Sequence, residues 1–189
     1  MPESDSHKPE YFLHQAELIH SAEVVDAAIT QLASSIKADL GESKPLVLCV
    51  MGGAVVFAGK LLPELAFPME FDYVQVSRYH NQTQGQHLVW KVEPKDNVRG
   101  RTVLVLDDIL DEGHTLAAIK QKCLEQGAVR VVIAVLAEKE LGHAKPIAAD
   151  FVGLTLPNRY VFGCGMDVYG WWRNLPAIYA LPPQPKDWA

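Results

Sequence analysis

Residues 103–116 have the sequence VLVLDDILDEGHTL. The aliphatic residues Val103–Leu106 predict a strand that is buried on both faces of a parallel sheet. Carboxylates and Gly113 follow and indicate a tight loop, after which apolar residues recur at helical spacing: Leu116, Ile119, Cys123 and Leu124. Ligands of open α/β sheets bind at the carboxyl ends of the strands, so we expect a binding site at this loop.

The loop can bind an anion and a sugar together. Backbone amides between Asp111 and Thr115, with Gly113 permitting close approach, can form a phosphate cradle at the start of the helix. Four carboxylates lie within residues 107–112: Asp107, Asp108, Asp111 and Glu112. Acids beside a phosphate are unfavourable unless they face sugar hydroxyls, a divalent metal or a proton to be removed. The pattern therefore predicts a phosphorylated sugar as the ligand.

Two other interpretations fit part of this stretch. Receiver domains of response regulators also have a hydrophobic strand that ends in two acids, but that pair usually lies near the start of the domain, and here about a hundred residues precede it. A purely structural role, in which acids end a strand and cap a helix, explains one or two carboxylates but not four with a glycine.

The stretch resembles the phosphoribosyl-diphosphate (PRPP) signature of type I phosphoribosyltransferases, and DDILDEGHTL looks most like the hypoxanthine-guanine branch. The resemblance covers about residues 46–175. It implies an α/β fold, with a twisted, mainly parallel sheet flanked by helices and a small hood subdomain. It also implies that Asp107 and Asp108 hold the ribose hydroxyls and a metal, and that Asp111 is the base near purine N7. The 5′-phosphate loop would consist of Asp111, Glu112, Gly113, His114 and Thr115.

A second glycine-containing turn follows the apolar run Leu46–Met51. Two glycines between a strand and a helix suggest backbone approach to an anion, although such a pair is more often simple turn geometry. The resemblance makes this the pyrophosphate loop, with a cis peptide at about Met51-Gly52 and contacts from Met51, Gly52 and Gly53. Many purine enzymes of the family have Lys or Arg near Gly52, so this chain leaves the contact to backbone amides. Arg173 is implied as the pyrophosphate-binding arginine.

The resemblance also implies a purine pocket and a lid. Lys139, at the carboxyl end of a predicted strand, would donate to the purine 6-oxo group, which favours hypoxanthine or guanine over adenine. Tyr160 would stack on the purine, the backbone of Val161 would contact the base edge, and Asp167 would be a metal-associated acid beside the base. The alternating run Met69–Val76 predicts a strand of a long hairpin. Arg78 and Tyr79 follow it where the family has its catalytic lid.

Composition and pattern bound the rest of the chain. The 189 residues are 49% hydrophobic and 21% charged, which is typical of one soluble globular domain. The net charge of −6 and the lack of a long basic run argue against a nucleic-acid ligand. Three cysteines without a C-x-x-C pair favour a reducing cytoplasm. We expect no membrane segment, because no apolar run approaches the ~18 residues of a span.

These patterns also predict how the chain is divided. Apolar residues spaced by four and three from Leu18 to Ile36 predict an amphipathic helix that Gly41 follows. We expect a flexible tail at residues 1–10, a single domain at 11–180 and a C-terminal tail at 181–189. The hood is expected from about residue 150 to 180, together with the N-terminal segment.

The resemblance implies an enzyme of purine salvage. It would transfer the phosphoribosyl group of PRPP to N9 of hypoxanthine or guanine, giving IMP or GMP and releasing pyrophosphate. Mg²⁺ is the implied cofactor, associated with Asp107, Asp108 and Asp167, and a homodimer or homotetramer is the implied assembly. Three alternatives stay open: a PRPP- or nucleotide-sensing regulatory protein of the same fold, a transferase that prefers xanthine, and one that prefers a 6-amino purine.

Overall fold

The computed structural model of the chain describes residues 9–80 and 86–183, with the backbone alone at residues 78–80 and 86–87. Its centre is a sheet of six strands. In chain order they are β2 (Leu46–Val50), β3 (Glu70–His80), β4 (Gln86–Val92), β5 (Thr102–Leu110), β6 (Arg130–Lys139) and β7 (Phe151–Leu156). Across the sheet the order is β4-β3-β2-β5-β6-β7, and only the pairing of β3 with β4 is antiparallel. The predicted α/β class with a mainly parallel sheet is confirmed.

Within the described residues, four α-helices accompany the sheet, α1 (Pro9–Gln15), α2 (Ala22–Leu40), α3 (Val55–Leu65) and α4 (His114–Glu125), and a 3-10 helix spans Asp96–Val98. Helix α2 confirms the predicted amphipathic helix, and its buried stripe includes Val25, Ile29, Leu32 and Ile36. It begins later than the spacing suggests, because the Ser21 hydroxyl caps the helix by accepting from the amide of Val24. No helix in the described part of the chain combines the length and the apolar character needed to cross a bilayer.

A second, three-stranded sheet brings the two ends of the described chain together. Strand β1 (Glu17–His20) pairs with β9 (Ile178–Ala180), which pairs with β8 (Val161–Phe162), and both pairings are antiparallel. This small sheet occupies the place expected for the hood. Its predicted start at about residue 150 is wrong, because β7 pairs in parallel with β6 at the edge of the main sheet.

The predicted flexible tail at residues 1–10 does not extend to its last two residues. Pro9 and Glu10 open α1, and the Trp172 indole donates a hydrogen bond of 2.6 Å to the carbonyl of Pro9. This bond fixes the helix start against the segment between β8 and β9. At the other end, the amide of Leu181 donates to Tyr160 at 2.8 Å, so the predicted C-terminal tail begins with an ordered backbone contact.

The central stretch differs from the sequence prediction in two ways. The strand does not stop at the first carboxylate, since β5 continues through Asp107 and Asp108 and still pairs with β6 at Leu110. The residue that follows β5, Asp111, therefore starts the loop. In α4, Leu116, Ile119 and Cys123 are buried as predicted, whereas Leu124 is 46% exposed and lies outside the core.

The long hairpin predicted after Met69 is present as β3 and β4. Arg78 and Tyr79, the predicted lid residues, lie in the outer part of β3, where their backbones pair with Leu88 and His87. Their side chains and residues 81–85 fall outside what the structure describes, so the lid stays a prediction.

Candidate active site

A cavity of about 310 Å³ opens where the carboxyl ends of β5 and β6 meet the segment that follows β7. This volume is in the range of small-molecule sites, and the place agrees with the rule for open α/β sheets. Seven predicted site residues line it, together with Ile109 and Met166: Asp108, Asp111, Lys139, Tyr160, Val161, Asp167 and Arg173. The fold thus brings together side chains that lie far apart in the sequence.

The two acids at 107 and 108 are the buried polar core of the site, with exposures of 8% and 7%. One Asp107 carboxylate oxygen accepts from the amide of Asp108 at 3.0 Å, and Asp108 Oδ1 accepts from the amide of Ile109 at 3.0 Å. Burial raises the pKa of Asp108, and a hydrogen bond with Asp107 and the charge of Arg173 offset only part of that rise. Sugar hydroxyls or a cation would stabilise the ionised carboxylate.

The donor set suits a metal that is shared with a substrate. Within the described ranges, no group of three or more His, Cys, Asp or Glu side chains forms a metal cluster. Mg²⁺ commonly binds through one or two carboxylates plus substrate phosphates, and the adjacent pair Asp107 and Asp108 provides those carboxylates. The third predicted metal residue, Asp167, forms an ion pair of 2.6 Å with Arg173.

The turn after β2 packs directly onto the buried acids. The peptide between Met51 and Gly52 is cis, as the resemblance implied. A Cβ added at Gly53 would clash with the carboxylate of Asp108, whereas one at Gly52 would meet no atom within 4 Å. Glycine is therefore sterically required at 53 but not at 52. The missing basic side chain at Gly52 is not explained by lack of space.

The predicted phosphate loop leads into α4 through Gly113, which has φ +83° and is the residue before the helix. A Cβ at Gly113 would lie 3.1 Å from Ile147 Cγ2 and 3.3 Å from Leu110 Cδ1, so the left-handed turn is also tightly packed. Helix α4 is twelve residues long and presents its N-terminal amides at the carboxyl end of β5. Glu112 pairs with His143 at 3.2 Å. Gly113 gives α4 no side-chain cap, and backbone amides at such a helix start suit an anion.

Asp111 and Lys139 both line the cavity and contact each other. The Lys139 ammonium donates to Asp111 Oδ2 at 2.9 Å, and the Lys139 side chain is 12% exposed. Lys139 is the last residue of β6, as predicted for a strand-end lysine. The predicted base and the predicted 6-oxo donor thus form an ion pair with each other.

The aromatic ring that lines the cavity, Tyr160, belongs to a series of stacked rings. Tyr160 is 47% exposed, and its ring lies nearly parallel to that of Tyr169 with centroids 6.0 Å apart. Tyr169 in turn stacks on Phe12 of α1 at 5.1 Å. The neighbouring Val161 is buried in β8. The predicted stacking ring is therefore the first of a series that reaches the N-terminal helix.

Arg173 is held in place by contacts within the protein. One guanidinium nitrogen donates to the carbonyl of Gly165 at 2.6 Å, and another pairs with Asp167 at 2.6 Å. Asp167 also accepts from the amide of Gly170 at 2.7 Å. Gly165, with φ +106°, has no room for a Cβ because the carbonyl of Gly53 lies against it. The segment after β8 thereby contacts the turn after β2.

A sequence model of the family described as "Phosphoribosyl transferase domain" matches residues 15–169. The chain belongs to this family. The match covers most of the chain and includes both predicted loops.

Relatives of this phosphoribosyltransferase confirm the predicted branch. It is 30% identical over 165 residues to a hypoxanthine-guanine-xanthine phosphoribosyltransferase of Tritrichomonas foetus, covering 87% of this chain and 90% of the relative. It is 32% identical over 164 residues to the hypoxanthine-guanine phosphoribosyltransferase of Bacillus subtilis, covering 86% and 91%. A hypoxanthine phosphoribosyltransferase from Trypanosoma cruzi, solved as a ternary complex with substrates, superposes with a TM-score of 0.81 at 26% identity over 90% of this chain and 97% of that one.

Three residues of this phosphoribosyltransferase site were missed by sequence reasoning. Lys145 donates to two carbonyls at the ends of β5 and β6, Tyr169 supports Tyr160, and Gly165 packs on Gly53. No local pattern indicated the lysine. The glycine and the tyrosine lie in GCGMDVYG, a run whose three glycines signalled turns without identifying contacts.

Proposed function

We propose that this chain is the purine-salvage enzyme hypoxanthine-guanine phosphoribosyltransferase. It transfers the 5-phosphoribosyl group from PRPP to N9 of hypoxanthine or guanine, giving IMP or GMP and pyrophosphate. One observation carries the proposal: Asp108 and Asp111, suited to a sugar, line a single cavity with the strand-end Lys139 and an exposed tyrosine ring, and α4 begins three residues after Asp111. The family and the named relatives agree with it.

In this mechanism, residues of β5 and of the loop after it bind the ribose and its phosphate. Asp107 and Asp108 accept hydrogen bonds from the ribose hydroxyls, and the amides of residues 111–115 bind the 5′-phosphate at the start of α4. Mg²⁺ held by Asp107 and Asp108, with Asp167 close to the leaving group, would withdraw charge from the pyrophosphate. Arg173 and the backbone at Met51, Gly52 and Gly53 bind the pyrophosphate as it departs.

Residues of β6 and of the segment after β7 bind the purine. Lys139 donates to the 6-oxo group, Tyr160 stacks on the ring, and the backbone of Val161 contacts the base edge. Adenine has an amino group at that position and offers the ammonium no acceptor, which is the basis of selection. Asp111 takes up or shares the proton of purine N7. Its ion pair with Lys139 must open as the base enters, so each residue then acts on a different purine edge.

The transition state of such a transfer is an oxocarbenium-like ribose between the base and pyrophosphate. Catalysis comes mainly from positioning, neutralisation of charge and exclusion of water. The close contacts among Gly53, Asp108 and Gly165 contribute to positioning. Arg78 and Tyr79 belong to the proposed lid, which would exclude water.

Initial rates with PRPP, Mg²⁺ and each purine in turn test the proposal. Hypoxanthine and guanine should give nucleotide and pyrophosphate in equal amounts, and adenine should give neither. Xanthine belongs in the set because the Tritrichomonas foetus relative includes it in its name. Preferred use of xanthine or adenine would replace the substrate assignment. Nucleotide binding without pyrophosphate release from any purine would favour the regulatory alternative.

We further propose a cytoplasmic homodimer or homotetramer. Cys49, Cys123 and Cys164 are buried as free thiols, and burial raises the pKa of each to about 11, so none is poised to form a disulfide. Phe71 and Tyr73 are two residues apart on β3 and therefore share one face of the strand. Their side chains are 54% and 43% exposed and form an apolar surface that a second copy of the chain can cover. Light scattering of the purified protein tests the assembly, and a monomer at micromolar concentration would contradict it.

A further inference from the structure

Lys145 lies in the connection between β6 and β7 and is nearly buried, with 8% of its side chain exposed. Its ammonium group has three donors, and the structure gives an acceptor for each. These are the carbonyl of Leu110 at 3.1 Å, the carbonyl of Lys139 at 2.6 Å and Glu138 Oε1 at 3.0 Å. The site chemistry proposed above does not use this lysine.

The two carbonyls belong to the ends of adjacent strands. Leu110 is the last residue of β5 and precedes Asp111, while Lys139 is the last residue of β6. The pairing of β5 with β6 reaches its end at Leu110 and Glu138. Lys145 therefore joins the two strands at the point where one leads into the phosphate loop and the other presents the 6-oxo donor.

The residues after Lys145 support the same loop from the side. A Cβ at Gly113 would lie 3.1 Å from Ile147 Cγ2 and 3.5 Å from Pro146 Cδ, so this connection packs against the tight turn before α4. Ile147 is half-buried against the main core. Residues 145–147 thus contact the start of the phosphate loop by a hydrogen bond and its glycine by van der Waals packing.

An apolar side chain of similar length cannot replace these contacts. It would leave the carbonyls of Leu110 and Lys139 without the ammonium donor, and Glu138 without its ion partner. Loss of these bonds would let the ends of β5 and β6 shift relative to each other. Because Leu110 precedes Asp111 and Lys139 is itself a strand end, such a shift would move both proposed reacting groups.

We infer that Lys145 is a positioning residue that sets the separation between the Asp111 loop and Lys139, and so couples PRPP binding to purine selection. The inference rests on the proposed transferase function. It concerns the arrangement of the two groups, since Lys145 touches neither reacting atom.

The test compares Lys145→Met and Ile147→Ala with the wild-type protein in steady-state assays at a temperature where all are folded. Lys145→Met should raise the KM of PRPP and of hypoxanthine, each by about tenfold, and lower the rate ratio of hypoxanthine over adenine. Ile147→Ala should raise the KM of PRPP alone, because within the proposed site Ile147 packs on the phosphate loop at Gly113 and the structure gives it no contact with Lys139. Lys122→Met is the matched control: it removes a lysine paired with Glu93 at 2.8 Å in the last turn of α4 and should leave all three quantities unchanged.

A purely structural lysine would lower the thermal midpoint of Lys145→Met and leave both KM values and the base ratio at the wild-type level, which overturns the inference. If Lys145→Met does not fold, Lys145→Arg decides, since it keeps the charge but displaces the donors; unchanged KM values for both substrates would then count against a positioning role. Failure of the wild-type protein to release pyrophosphate with any purine would reject the proposed function instead.

Discussion

The ion pair between Asp111 and Lys139 joins two residues to which the proposed mechanism gives different tasks. Asp111 starts the phosphate loop, and Lys139 ends the neighbouring strand, so a parallel sheet with adjacent strand ends brings a proton acceptor and a proton donor within 2.9 Å. A purine inserted between them can meet the acid with a ring N–H and the ammonium with a carbonyl oxygen. Their separate roles can be distinguished kinetically.

Asp111→Asn should lower the turnover number by about 100-fold or more while the KM of PRPP changes little, because the amide cannot accept the N7 proton. In the proposed mechanism the phosphate is bound by backbone amides, which the substitution leaves in place. Initial rates of pyrophosphate release at varied PRPP give both quantities. An equal loss in turnover and in PRPP affinity would reject the role as base.

Lys139→Gln should reduce the preference for hypoxanthine over adenine by about tenfold or more, since a neutral amide can present either a donor or an acceptor to the purine 6-position. Competition between the two bases at saturating PRPP measures the ratio. Lys122→Gln likewise removes a lysine that pairs with a carboxylate, here Glu93, and should keep the wild-type ratio. A preference unaltered in Lys139→Gln would show that selection lies elsewhere in the pocket.

At the level of whole elements, sequence patterns predicted most strands and helices but not all of their limits. The aliphatic run before Asp107 predicted β5, yet the strand extends to Leu110 because backbone amides satisfy the buried carboxylates. Hydrophobic periodicity carries no information on such bonds. Likewise β7 was assigned to the hood, since its place beside β6 depends on a long-range pairing that no local pattern encodes. Resemblance supplied the candidate roles, while Lys145 emerged only from contacts between distant residues.

The ring of Phe12 in α1 and that of Tyr169 after β8 support Tyr160, the proposed purine-stacking residue. Tyr169→Ala removes the ring between Tyr160 and Phe12, which is worth about 1 kcal/mol, so the KM of the purine should rise about fivefold. The KM of PRPP should stay near its wild-type value. Substrate titrations of both ligands provide the comparison, with Trp171→Ala as control because its exposed ring lies in the same turn. An equal rise in the KM of the purine in both variants would show that the conformation of the turn, rather than the ring of Tyr169, is responsible.

For the molecule as a whole, the helical layer must pack closely on the main sheet. Gly153 of β7 lies beneath α2, and a Cβ there would come within 2.7 Å of the carbonyl of Leu136 and 2.9 Å of Leu32 Cδ1. The backbone of β6 cannot move away without disturbing the centre of the core. Position 153 therefore has no room for a side chain larger than that of glycine.

Gly153→Ala should destabilise the protein by about 1 to 3 kcal/mol through overpacking. Gly59→Ala is the matched control, because a Cβ there meets no atom within 4 Å and the position is exposed within α3, where alanine should add about 0.5 to 1 kcal/mol. Urea denaturation of the three proteins measures both changes. Equal stability of the two variants would mean that α2 and β7 adjust without cost.

The ion pair between Asp111 and Lys139 also bears on which inhibitors the proposed site can accept. Because Asp111 and Lys139 already satisfy each other, a fragment with a single charge gains one partner and leaves the other isolated in a half-enclosed space. A neutral heterocycle that carries an N–H on one edge and a carbonyl on the opposite edge replaces both ends of the pair at once. Screening libraries for this pocket should therefore be chosen for paired hydrogen-bonding edges rather than for net charge.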